Sequence, residues 1–388
     1  MEDPNDKTVV LGQPRAIPYS TQIVTQAWNE LAGQSLSTIA PTKVRVKIRF
    51  KNSRCKIRAI RSWGSTLWQY SIVLTDRQIY NGPTFNNIER LYEQNLNTGS
   101  LGRAFWYAAT GNNALHEFYG FASSDGISAP PGGLDILLTP ADEAEAAPML
   151  GKLLNPWATI SIPAFIFVFI KSPAAVLAPL TAYLSAFAPD VVYNHDGEGN
   201  RASDQVKDTW YHEFAHAAHF NGLNNDSYWI GNIKYVIDND GMGDGTAPGA
   251  GRCAVIEMWG FHYGPVCADR QYGVLHSNGG AAAQQITARR HIFLLESFIP
   301  TLPPTLNNRW MAQGAFLDLI DDNALNPPGV FDGIGPETVT GFTHANCFSA
   351  ICTAPPNPTA VRNILTGSFL PPGQTVVGVN GVFAAYGF

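Results

Sequence analysis

Between Trp210 and Phe220 the chain reads WYHEFAHAAHF, and no other stretch so restricts what the chain can become. Ser203 or Asp208 can cap a helix start and Asn221-Gly222 can stop it, and nothing between them breaks a helix. At about 100° per residue, His212 and His216 stand one turn apart on one face, the arrangement by which two imidazoles reach one metal ion. Glu213 lies about 100° round from His212, near enough to address a ligand of that metal without binding it. Trp210, Phe214, Ala217 and Ala218 can pack on neighbouring elements.

H-E-x-x-H is the pattern of zinc hydrolases, and each residue type has a task. Two neutral imidazoles bind Zn2+ tightly and leave positions for a third protein ligand and a water. The metal lowers that water's pKa to about 7. Glu213 can take the proton and pass it to a leaving amine. With the His and Glu content of this chain, the pattern arises by chance in roughly 1 of 150 such sequences, so accident is the weaker explanation. Fragments do arise for nothing: His116 opens HEFYG, where Gly120 stands in place of the second histidine.

A third ligand must come from elsewhere. His219 lies seven residues after His212 and shares its face, but a straight helix cannot bring three successive turns to one small ion. His219 is therefore expected in an outer shell or lining the cleft. Glu257 is the preferred ligand. It is the only acidic residue between Asp244 and Asp269, inside the apolar run AVIEMWGF. A carboxylate in such a run must be paired or bound. Zinc is one partner; a salt bridge to Arg252, five residues back, is the other.

HEFAH followed about forty residues later by a helical glutamate resembles the gluzincin group of zincin metallopeptidases, which bind zinc with two histidines and a downstream glutamate. More narrowly, HEFAHAAHF, AVIEMWGFHYG and WMAQGAFLDLIDD (Trp310 to Asp322) resemble a poorly characterised group of secreted or lipoprotein-type zinc metallopeptidases. The motifs carry the resemblance over Trp210 to Gly264; elsewhere it is diffuse. It implies one catalytic zinc on His212, His216 and Glu257, Glu213 as general base, and a secreted, periplasmic or surface-anchored protein. Two departures stand out. The metzincin pattern HExxHxxGxxH fails, because His219 stands where Gly is needed and Gly222 where the third ligand would be. Thermolysin-like proteins place an Asp four residues after the Glu ligand to orient a histidine, whereas this chain has Phe261 there, so another group must do that work.

Hydrolysis builds negative charge on a carbonyl oxygen, so a donor besides zinc is expected near the site. His262, Tyr263, Tyr272 and His276 follow Glu257 closely enough to fold over it. His262, at i+5, is about 140° from Glu257 and off its face. DNDGMGDG, Asp238 to Gly245, resembles a calcium loop, but no alignment satisfies the EF-hand positions. A rim loop is the preferred reading over Ca2+ there, and Asp318, Asp321 and Asp322 are read as helix caps rather than calcium ligands.

The remainder bounds the setting. The 388 residues suffice for one large domain or two modest ones, and only 14% are charged. A net charge of -6 argues against general nucleic-acid binding. Five cysteines form no CxxC motif; Cys347 with Cys352 or Cys253 with Cys267 can pair, and free buried thiols are the equal alternative. MEDPNDKTVV has neither a basic nor an apolar region, so no signal peptide is expected in this chain. TISIPAFIFVFI, Thr159 to Ile170, is too short to span a membrane and reads as one or two buried strands, with a helix over Pro173 to Pro189. Asn86 to Gln94, Arg103 to Thr110 and Ala141 to Leu154 read as helices, the last interrupted at Pro148. VRVKIRF (Val44 to Phe50) and CKIRAI (Cys55 to Ile60) alternate as a hairpin about Asn52-Ser53. Eight of the 25 Lys and Arg residues fall between Arg45 and Arg61, a solvated sheet face in preference to a docking surface for an anionic partner.

The expected architecture is α+β: a small N-terminal β-rich module over 1–82 and a zincin-like catalytic domain over 83–388, with no transmembrane segment. A sheet including some of Thr159 to Ile170 or Asp190 to Tyr193 would wall the cleft. The expected activity is zinc-dependent hydrolysis of peptide bonds in a peptide or protein substrate. Two alternatives are a non-catalytic binding or adhesion protein on a zincin scaffold, and a metal-dependent hydrolase of a non-peptide amide.

Overall fold

A computed structural model describes residues 22–23, 42–59, 73–82, 90–92, 101–139, 145–153, 188–195, 203–276, 311–320 and 339–388. Helix and strand are both present, an α+β composition, and the chain divides into two compact units. The first comprises Met1–Glu117, Gly132–Ala144 and Val192–Arg201, so it runs past residue 82 and takes in two later segments; the second comprises Phe118–Pro131, Glu145–Val191 and Ala202–Phe388. Helix α1, Leu101–Asp125, passes from one to the other at residue 118.

The first unit holds the strands. β1 (Gln22–Ile23) pairs antiparallel with β5 (Arg90–Leu91), and β2 (Thr42–Arg49) pairs antiparallel with β4 (Thr75–Gly82) over its full length, Thr42 opposite Gly82. β3 (Cys55–Ala59) runs parallel to β6 (Leu134–Thr139), Cys55 opposite Leu134, and β7 (Val191–Asn194) completes a sheet of order β3-β6-β7. Every residue of β6 is buried, as a central strand covered on both faces requires. Its one charge, Asp135, is matched by Arg58 Nε at 2.7 Å and Lys56 Nζ at 2.8 Å from β3. Phe105 of α1 stacks on Phe50 and meets Tyr92, with centroids 5.9 and 5.4 Å apart.

Several sequence expectations are corrected here. The turn at Asn52 exists: Asn52 N donates to Cys55 O at 2.8 Å, and Asn52 Oδ1 accepts from the amides of Arg54 and Cys55. The hairpin is short: Lys51 bridges Lys56 antiparallel and Ile57 N donates to Phe50 O at 2.8 Å, and beyond that β2 takes β4 as its partner and β3 takes β6. β3 carries Cys55 and Ile57, both buried, and Arg58, whose counter-ion lies on β6; Arg58 therefore belongs to an interior pair and not to a solvated face. Arg90–Leu91 is a strand and not part of a helix. Residues 145–149 are not helical, and among the described residues of that expected helix only Leu150–Leu153, α2, is helical, since Pro148 disfavours helix before it and Met149 takes φ 55°. Ala188 and Pro189 are non-helical too; the rest of Pro173 to Pro189, and Thr159 to Ile170, lie outside the described residues. Arg103 to Thr110 is helical, and α1 continues fifteen residues further because Leu115, Phe118 and Ala122 extend its buried stripe.

The second unit is helical: α3 (Ser203–Leu223), α4 (Asp226–Asp238), α5 (Ala250–His276), α6 (Leu317–Ile320), α7 (His344–Ile351), α8 (Pro358–Ser368) and α9 (Val376–Ala385). α3 packs along α5. Trp210 and Phe214 stack on α3, and Phe214 meets Phe118 edge-on; Trp259 of α5 stacks on Tyr263 and packs against Phe348 of α7. The entries to α4, α7, α8 and α9 are capped by the side chains of Asn225, Thr343, Asn357 and Thr375, each accepting the amide three residues on. All five cysteines are free thiols. Among the described residues no helix is long and apolar enough to cross a membrane.

Candidate metal centre

α3 presents His212 and His216 from consecutive turns, and their Nε2 atoms lie 2.9 Å apart. α5 brings Glu257 Oε2 to 3.4 Å from each of those nitrogens. Among the described residues this is the one group of three or more His, Cys, Asp or Glu side chains able to hold a metal ion. The donor set fits zinc on distance: ligands about 2.0–2.1 Å from a tetrahedral centre stand about 3.3 Å from one another. It also fits on chemistry, since two imidazoles and one carboxylate leave an open position.

The group is nearly dry. The side chains of His216 and Glu257 are 7% and 9% exposed, and His212, at 15%, is the member nearest solvent. Burial presses His212 toward neutrality, but the Glu257 hydrogen bond and the negative charges of Glu213, Glu257 and Asp208 outweigh it and lift its pKa to about 9. Burial lowers His216. Burial also opposes charge on Glu257, yet the two histidines hold its carboxyl well below the ordinary carboxylate range. Without metal, His212 thus holds a proton around neutral pH beside the Glu257 carboxylate, while His216 is neutral.

Glu213 is 3% exposed, and its Oε2 is buried with no hydrogen-bond partner among the described residues. Burial raises its pKa to about 8; His212 opposes this, while Glu257 and Glu145 add to it. His216 Nδ1 is buried without a hydrogen bond, and Phe261 lies edge-on to His212, with centroids 4.7 Å apart at 68°. Arg252 is not the partner of Glu257: its guanidinium lies over the Tyr228 ring, 5.0 Å from the centroid.

The remaining candidates lie apart from the donor group. His219 is fully buried, donates from Nε2 to Ile351 O at 3.2 Å and stands edge-on to Trp229; burial lowers it to about 3 and keeps it neutral. His262 Nε2 is 3.1 Å from His344 Nδ1. Tyr263 donates to Asp125 Oδ2 at 2.8 Å, an oxygen that also accepts from Arg270 at 2.6 Å. Tyr272 has the Lys207 ammonium over its ring at 5.5 Å. His276 ends α5, and its side chain lies outside the description. The decoy His116 bonds to Arg54 through Nδ1.

The calcium alternative has its carboxylates engaged locally. Asp244 Oδ1 accepts from Thr246 N at 3.0 Å and Oγ1 at 2.7 Å, and Asp238 pairs with Lys234. Asp318 accepts from Tyr386 OH at 2.9 Å; Asp321 and Asp322 lie outside the described residues. Sequence reasoning missed Gly260 and the packing role of Phe261. No family model, curated protein or solved structure matches this chain.

Proposed function

We propose that this chain is a zinc-dependent metallopeptidase, with a zincin-like catalytic domain of the gluzincin type within residues 83–388. The observation that carries the reading is the convergence of two imidazole nitrogens and one carboxylate oxygen at mutual separations of 2.9–3.4 Å, beside a second carboxylate, that of Glu213. His212, His216 and Glu257 would hold the ion. A bound zinc supplies Lewis acidity, which makes a water acidic near neutral pH and polarises a carbonyl. Glu213 takes the water's proton at Oε2 and returns it to the departing amine; a carboxyl held near 8 by burial can do both around neutrality. His212 and Phe261 are the members of the site nearest solvent, so substrate approaches over them.

Glu213→Gln tests this. The variant, loaded with zinc, is expected to keep one metal per chain and to lose hydrolysis of a peptide library by about 10²–10⁴-fold. A zinc-loaded wild type that cleaves neither peptides nor other amides would overturn the enzymatic reading and leave a binding role. Cleavage of amides but not peptides would point to the non-peptide alternative.

A further inference from the structure

Gly260 lies on α5 one turn beyond Glu257 and on the same face. A Cβ at this position would lie 2.6 Å from His216 Cε1, 2.8 Å from His212 Cε1 and 2.9 Å from His216 Nε2. Non-bonded carbon atoms settle at about 3.5–4.0 Å. The edges of both ligand rings therefore occupy the volume that any other residue would fill. Gly264, one turn further, differs in what it faces: its Cβ would meet the backbone N and Cα of His212 at 3.0 and 3.1 Å. Gly264 lets the two helices approach, whereas Gly260 leaves room for the imidazole rims.

The geometry points to Gly260 as a positioning residue of the metal centre, its missing side chain fixing where the Nε2 atoms of His212 and His216 converge. The inference rests on His212, His216 and Glu257 being metal ligands and not on the choice of substrate. Its physical basis is an asymmetry. A histidine ring can swing about its side-chain torsions at little cost to the fold, so alanine at 260 is accommodated by moving the rings. The ring that swings carries its ligating nitrogen with it, and the three donors no longer share a centre. Metal binding then fails while folding does not. The φ of Gly260 is ordinary helix, so backbone strain gives no competing reason for glycine here. A helix-interior glycine is otherwise a liability that alanine would remove.

The test is a zinc titration of the full chain against a competing chromophoric chelator, with Gly260→Ala and Gly264→Ala beside wild type. The melting temperature of each chelated protein is measured in parallel. Chelated Gly260→Ala is expected to melt at or above wild type, because alanine is the better helix former, and to bind zinc about 100-fold or more weakly. Its cobalt(II) form is expected to lose the intense visible bands of a four-coordinate ion. Chelated Gly264→Ala is expected to melt lower, because a backbone cannot swing aside. Wild-type zinc affinity in Gly260→Ala would overturn the inference. So would a chelated Gly260→Ala less stable than Gly264→Ala, since the clash would then fall on the fold and not on the rings. A wild type that binds no zinc overturns the ligand assignment and this inference together, whereas one that binds zinc without cleaving peptides overturns only the activity.

Discussion

Glu257 sets the electrostatics of the donor group. Burial presses His212 toward its neutral form, and its hydrogen bond to Glu257 is the largest of the effects that reverse this, with the charges of Glu213, Glu257 and Asp208, and raise it to about 9. Glu257→Gln keeps the shape and removes the charge. In the chelated variant His212 is expected to titrate well below the wild-type value, followed by NMR of the imidazole protons; an unchanged titration would mean that another anion holds the proton. The same substitution is expected to weaken zinc binding by about 100-fold or more, since a ligand is lost and not merely an outer partner. The residues of the centre differ in how visible they are in the sequence. His212, Glu213 and His216 share one helix, so periodicity alone relates them. Glu257 announces itself as a carboxylate among apolar neighbours, which demands a partner without naming it. Gly260 gives no such signal, because its constraint is imposed by two rings on another helix. Tyr263 and His262 follow Glu257 in sequence, but at i+6 and i+5 they face other elements, and neighbourhood in the chain says nothing of that.

At the scale of elements, the second unit is braced behind α5 by a polar group. Asp125 at the end of α1 accepts from Tyr263 and Arg270, while His344, the first residue of α7, meets His262. Tyr263→Phe removes a donor to a carboxylate that keeps its arginine, and the expected cost is about 1.5–3 kcal/mol of stability. With Tyr263 committed to Asp125, the variant is expected to retain zinc affinity and kcat. A loss of kcat without loss of stability would restore Tyr263 as a transition-state donor. The N-terminus of α7 is held by a reciprocal capping box between Thr343 and Asn346, and Thr343→Ala is expected to cost about 1 kcal/mol in denaturant unfolding. Helices were the more legible elements. α3 is bounded by signals inside its own sequence, whereas the expected helix at Arg103 to Thr110 stops short of α1, which a buried stripe carries on to Asp125. Strand partners were not. β2 and β3 lie five residues apart with the alternation of a hairpin, yet their ladders are completed by β4 and β6, and a strand's own pattern gives its buried face and not its neighbour.

At the scale of the whole molecule, metal binding, protonation and folding form one linked equilibrium. All three donors and Glu213 belong to the second unit. His212 has a folded-state pKa of about 9 against an ordinary 6.5, and Glu213 one of about 8 against 4.5. Both are raised, so the metal-free folded state holds protons that the unfolded state releases, and stability falls with rising pH, through Glu213 from about 4.5 to 8 and through His212 from about 6.5 to 9. Glu257 and His216 are shifted downward, so their contributions are lost at the acid end and leave this window unaffected. On the proposed ligand set, zinc would displace the proton on His212. Its apparent affinity therefore tightens with pH until that histidine is already neutral, by about 1.4 kcal/mol per pH unit for one displaced proton. The melting temperature of chelated protein is expected to fall between pH 6.5 and 9, while that of zinc-saturated protein stays level against this contribution. The gap between them widens across the window and ceases to widen above it. Differential scanning calorimetry at matched free zinc measures both curves. A gap independent of pH would show that no proton leaves when the metal enters, and a protonated His212 beside Glu257 would then be the wrong description of the metal-free site.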